Sequence, residues 1–144
     1  MLAGIVLDKS GDLYGATIQG GSVDCGVVFK LTHGAKGWKE SILHDFTQPK
    51  SGCGPSQLTF DTGGNLYGTA GGGTGQCEAG CGVVFKLTPG AGGKWNYSVL
   101  HNFTGDDGAY PDAGVILDQK GNLYGTTELG GGGTSVGVVF EITP

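Results

Sequence analysis

Positive charge is scarce in this sequence and nowhere gathered. Its eight Lys and Arg residues are scattered among thirteen Asp and Glu, for a formal net charge of −5. A phosphate backbone is held by clustered cations, so nucleic acid is not an expected partner. An anionic membrane surface is disfavoured for the same reason. Long apolar runs are missing too: none approaches the roughly 20 residues that cross a bilayer as a helix, and no membrane insertion is expected. No segment sustains helical periodicity over the roughly 11 residues that identify a helix. A secretory leader is also not visible. Met1-Leu2 runs straight into Ala3-Gly4-Ile5-Val6-Leu7-Asp8, which matches the interior of later repeats, so the N-terminus reads as trimmed or truncated.

What the chain has instead is glycine, 32 of its 144 residues. Glycine at that level signals disorder when it falls without pattern. Here it recurs at matching places between short apolar runs, as turn punctuation. Three anchors align the copies. Gly11-Asp12-Leu13-Tyr14-Gly15 returns as Gly64-Asn65-Leu66-Tyr67-Gly68 and Gly121-Asn122-Leu123-Tyr124-Gly125. Cys25-Gly26-Val27-Val28-Phe29-Lys30-Leu31-Thr32 is repeated letter for letter from Cys81 to Thr88, with a third copy from Gly137 to Thr143. Leu43-His44-Asp45-Phe46-Thr47 returns as Leu100-His101-Asn102-Phe103-Thr104. The unit is about 55 residues long, which divides the chain into 1–54, 55–110 and a partial copy at 111–144.

Each unit reads as four short strands, in the first copy near Gly4 to Leu7, Asp12 to Thr17, Gly26 to Thr32 and Trp38 to Phe46. The first hairpin has a mechanism. Asp8, Asp61 and Asp118 each precede a Gly by three residues. An Asp bonds the backbone two residues on, and Gly accepts a positive φ, as a type I turn with a glycine bulge requires. Four strands per repeat of this length is the pattern of a propeller blade, whose sheet needs neighbours to cover its faces. The expected fold is therefore all-β: a β-propeller-type repeat of four-stranded antiparallel blades, two full and a third with three strands, as an incomplete ring. A β-solenoid is the alternative, with shorter coils. The expected partners are other copies of the chain or the rest of a longer propeller.

These residues resemble the GloVer tandem-repeat family of bacterial proteins. The resemblance is carried by Gly-Asn-Leu-Tyr-Gly-Thr at Gly64 to Thr69 and Gly121 to Thr126. The glycine run at Gly130 to Gly133 and the following Gly-Val-Val-Phe extend it. It covers the whole chain. One departure is Cys53-Gly54-Pro55, where the later copy has Asp107-Gly108-Ala109-Tyr110-Pro111. The resemblance implies an extracellular or cell-surface repeat array and transfers no catalytic residues.

Four cysteines, Cys25, Cys53, Cys77 and Cys81, form an even set that suggests disulfides in a secreted protein. In a four-stranded meander the loop between strands two and three lies on the same side as the link to the next blade. All four cysteines then share one side, favouring Cys25–Cys53 and Cys77–Cys81. A four-thiolate zinc site is the rival, weakened because Cys25 and Cys53 form no second close pair.

Other candidates are sparse. Asp106, Asp107 and Asp112 crowd one link between blades, as a calcium loop or as a solvated acidic segment. The counterpart Gln48-Pro49-Lys50-Ser51-Gly52 has no carboxylate, so such a site is not intrinsic to the repeat. His44 and His101 recur in one slot, which favours packing over ligation. Tyr14, Tyr67 and Tyr124 are expected between blades. Trp38 and Trp95 precede strand four, where exposed rings would suit glycans. No cofactor is expected. The leading expectation is a non-catalytic extracellular module with a structural or assembly role. A carbohydrate-binding module is the second, and a fragment of a propeller lyase or lactonase the third. The last would need polar groups on the first strands, which offer Ile5-Val6-Leu7, Gln57-Leu58-Thr59 and Val115-Ile116-Leu117.

Overall fold

The computed structural model describes residues 4–47, 51–131 and 136–143. Positions 1–3, 48–50, 132–135 and 144, which include the last two glycines of the Gly130 to Gly133 run, lie outside them. Within these limits the chain is all-β, in three antiparallel sheets. The first is a meander of β1 (Ile5–Leu7), β2 (Leu13–Ala16), β3 (Val27–Gly34) and β4 (Gly37–Asp45). In the second, β5 (Cys53–Pro55) and β6 (Thr59–Phe60) share one edge of β7 (Leu66–Gly71). β8 (Val83–Pro89) and β9 (Trp95–Asn102) complete it. The third contains β10 (Ile116–Leu117), β11 (Leu123–Thr126) and β12 (Val139–Ile142). Among the described residues the one helical element is a single 3₁₀ turn at Ala91–Gly93, between β8 and β9.

The turns follow the sequence. Asp8 accepts the Ser10 and Asp12 amides on Oδ1 at 2.8 and 3.0 Å, while its carbonyl accepts the Gly11 amide at 3.1 Å. Gly11 takes φ of 82°, a left-handed conformation that costs other residues about 1–2 kcal/mol. Asp118 repeats the pattern with Lys120, Asn122 and Gly121.

The Leu-Tyr-Gly words have a second cause. Gly15 stands opposite Phe29, Gly68 opposite Phe85 and Gly125 opposite Phe140. In each pair the aromatic ring lies across the glycine where a Cβ would stand. The glycine thus lets Phe lie flat on the neighbouring strand, which makes a large apolar tile for the next sheet.

Successive residues of a strand point to opposite faces, and the middle sheet is covered on both. Leu66, Val83, Phe85 and Leu87 join Tyr14, Val28 and Phe46 in the core shared with the first sheet. Tyr67, Val84 and Phe103 join Val115 and Leu123 in the core shared with the third. Phe46 and Phe85 meet edge to face at 5.3 Å, and Phe103 meets Phe140 in the same way at 5.1 Å. Such pairs contribute about 0.5–1.5 kcal/mol beyond their burial. The three sheets stack as consecutive blades of a partial propeller.

Candidate functional site

The repeated polar residues converge on the first hairpin of each blade. The Tyr14 hydroxyl donates to Asp8 Oδ2 at 3.0 Å, and Tyr67 donates to Asp61 at the same distance. Tyr124 donates to Glu141 Oε1 at 2.9 Å, and its hydroxyl lies 3.4 Å from Asp118 Oδ2. Asp61 also accepts from the Asn65 amide and side chain. Burial alone would raise the Asp61 carboxyl, but these donors outweigh it and hold it below its usual value. The same balance holds for Asp8 and Asp118.

A cation tops this brace in two blades. Lys30 bonds Asp12 at 2.7 Å and lies over the Tyr14 ring at 5.1 Å. Burial would lower its ammonium, but its bonds to Asp12 and Tyr14 push it up. Lys86 sits over Tyr67 at 5.3 Å. The third blade has Glu141 in this place, exposed. In the first two blades the brace joins a turn to a ring buried between sheets: Tyr14 meets Phe60 at 5.0 Å and Trp95 at 5.9 Å, and Tyr67 lies in the second core, whereas Tyr124 is half-buried.

The cysteines pair as Cys25 with Cys53 and Cys77 with Cys81, with Cα separations of 4.6 and 5.1 Å. Cys53 lies in β5, paired with Gly71 of β7, so the first bond ties the β2–β3 loop of the first sheet to the second sheet. The Gly54 amide reinforces the link by donating to the Cys25 carbonyl at 2.7 Å. Strand β5 therefore straddles the 54/55 boundary drawn from the repeat. The next link repeats the arrangement without a cysteine: the Tyr110 amide donates to the Cys81 carbonyl at 2.9 Å, and Ala109 bridges Leu129 of the third sheet.

Asp106, Asp107 and Asp112 are not brought together. Among the described residues no group of three His, Cys, Asp or Glu side chains is placed to hold a metal ion. Asp107 instead closes its own loop, accepting the Thr104 amide and hydroxyl on Oδ1 at 2.7 and 2.8 Å. It also contacts His101 Nε2 at 2.8 Å. Burial would raise its carboxyl; the Thr104 and His101 bonds prevail and lower it.

His44 takes a different role from His101. It stacks on Tyr97 of the second sheet, and the Tyr97 hydroxyl donates to the Ser51 carbonyl at 2.7 Å. Tyr97 was missed in the sequence because its counterpart is Glu40. Trp95 packs into the first interface, whereas Trp38 is 53% exposed beside His33. The innermost strands β1, β6 and β10 carry only aliphatic, aromatic and hydroxyl side chains. Among the described residues no helix is long and apolar enough to cross a membrane.

Comparison with known proteins places this geometry. The sequence profile of the Gloeobacter/Verrucomicrobia repeat matches residues 1–144. No curated protein matches the chain. Among solved structures, the chain is similar to a crystal structure of a provisionally assigned gluconolactonase, with a TM-score of 0.54 and 20% identity. The alignment covers 97% of this chain and 47% of that one, so the chain spans about half of that protein's length. At this identity the likeness concerns the propeller fold alone.

Proposed function

The chain belongs to the Gloeobacter/Verrucomicrobia repeat family, and on that premise we propose that it is a non-catalytic wall segment of an extracellular β-propeller. Its role is structural or assembling. The observation that carries this reading is the Asp–Tyr brace, made at 3.0 Å in the first two blades and approached at 3.4 Å in the third. The side chains that recur with the repeat, and would be the first candidates for chemistry, fasten a turn to a blade interface. Two disulfides suit an oxidising compartment, since cytosolic thiols are kept reduced.

A second reading, glycan binding, is favoured by one observation: Trp38 offers an exposed aromatic face beside His33. A lactonase role draws on the description of the similar structure and lacks titratable groups on β1, β6 and β10.

One pair of assays tests the reading. Purified chain is screened on a glycan array and for hydrolysis of sugar lactones. The expected result is no saturable binding and no rate above the uncatalysed reaction. Saturable glycan binding abolished by Trp38→Ala, or saturable lactone hydrolysis, would replace this reading with one of the other two.

A further inference from the structure

The middle sheet has one face toward the preceding sheet and one toward the following sheet, and the repeat places corresponding positions on the two faces of the first and third sheets. On the face toward the preceding sheet, Leu58 and Val115 are buried, whereas their counterpart Ile5 in the first sheet is 59% exposed. Phe60 packs on Tyr14, while its counterpart Leu7 is 63% exposed. Val99 and Trp95 pack into the first core; their counterparts Ile42 and Trp38 stand open.

The opposite face tells the same story at the other end. Val28 and Val84 are wholly buried against the following sheet, and their counterpart Val139 is 80% exposed. Tyr14 and Tyr67 are buried, and Tyr124 is only half-buried. Ile116 is 70% exposed beside it. The two ends of the stack are thus the two halves of an interface that the molecule already builds twice internally. They are different patches, so their pairing is head to tail rather than like to like.

We propose that a second copy of the chain covers both ends, head to tail, and closes the ring. Tyr124 of one copy then sits between Leu7 and Trp38 of the other, as Tyr14 sits between Phe60 and Trp95 within the chain. Continuity with the internal interface identifies the surfaces. The ring arithmetic identifies the number: this chain aligns to 47% of a propeller chain, so two copies supply nearly one whole ring. This inference rests on the reading of the chain as a propeller wall and adds the partner that completes it.

Sedimentation velocity and native mass spectrometry across micromolar concentrations test it on the 144-residue chain. The expected species is a dimer, twice the 14.5 kDa of one chain. Leu7→Asp and Val139→Asp should each yield monomers with unchanged far-ultraviolet circular dichroism, because both side chains are exposed in the single chain. Mixing the two variants should restore heterodimers, since one intact head still meets one intact tail. A monomer at every concentration overturns the proposal and assigns the open faces to repeats supplied otherwise. Species growing beyond two copies overturn ring closure, and a dimer that survives both substitutions overturns the surfaces. Glycan binding or lactone hydrolysis, by contrast, would displace the non-catalytic reading without changing the mass, so the two failures are distinct.

Discussion

His44 of the first sheet lies flat on Tyr97 of the second, with ring centroids 3.8 Å apart and planes 4° from parallel. Tyr97 also reaches Phe46 and Phe85, so one side chain joins β4, β9 and the Phe pair at the heart of the interface. Tyr97→Ala should therefore destabilise the fold by about 3 kcal/mol, as large-to-small changes in packed aromatic sites do. Tyr97→Phe should cost about 1 kcal/mol, the worth of its bond to the Ser51 carbonyl. Urea denaturation monitored by circular dichroism checks both values and their order.

Acidification should weaken the same stack. Burial lowers the His44 pKa below 6.5, against an opposing pull from Asp45, and buried Nε2 has no hydrogen-bond partner among the described residues. The unfolded chain takes up the proton first, so stability is complete above pH 6.5 and falls as pH drops below it. His44→Phe should flatten this slope between pH 6.5 and the carboxylate range. The lowered carboxyls of Asp61 and Asp107 act separately: the stability they add is present above 3.8 and lost as pH falls through their folded values. Denaturation midpoints measured at successive pH values separate the two phases.

The two disulfides should differ in worth. Cys25–Cys53 spans 28 residues and Cys77–Cys81 only 4. Loop-closure entropy then gives about 3.6 and about 1.9 kcal/mol respectively. Replacing Cys25 and Cys53 together by Ser should lower the melting temperature more than replacing Cys77 and Cys81 together. Differential scanning calorimetry of the two double variants reads the difference directly.

The glycine of the Leu-Tyr-Gly word should tolerate no side chain. Gly68→Ala places a Cβ against the wholly buried Phe85 ring and the Leu58 side chain, and should cost about 1–3 kcal/mol by overpacking. Gly92→Ala, with nothing within 4 Å, should cost only the roughly 1 kcal/mol of its left-handed φ. Chemical denaturation of both variants shows whether the Phe ring, rather than the turn, holds this glycine.

The fold was readable because the repeat states it three times. Turn chemistry at Asp8, Asp61 and Asp118 and apolar words between glycines located the strands to within a residue or two. What was hidden lies where the copies differ. Cys53–Pro55 pairs with β7 as an extra strand pinned by a disulfide; the next link, at Ala109 and Tyr110, makes the corresponding backbone contacts to Leu129 and Cys81, and only the disulfide is particular to the first interface. Tyr97 stands where the first unit has Glu40, so its stack on His44 belongs to one interface only. Equal letters also conceal unequal exposure: Trp38 and Trp95 occupy one position, yet only Trp95 has a preceding sheet to pack against. For the polar candidates, the sequence offered Asp106, Asp107 and Asp112 as a solvated acidic segment or a calcium loop. The Thr104 amide and hydroxyl, with His101, hold Asp107 in its own loop.

That inequality between the two tryptophans supplies the most direct test of the account, in which each blade face is built to be covered by another blade. In a Trp95→Phe chain the emission of Trp38 reports on the first sheet's open face alone. The account predicts blue-shifted, shielded emission in concentrated solution, moving to the red on dilution and in the added Val139→Asp background. Emission of a solvent-exposed tryptophan at every concentration, unchanged by Val139→Asp, would contradict it.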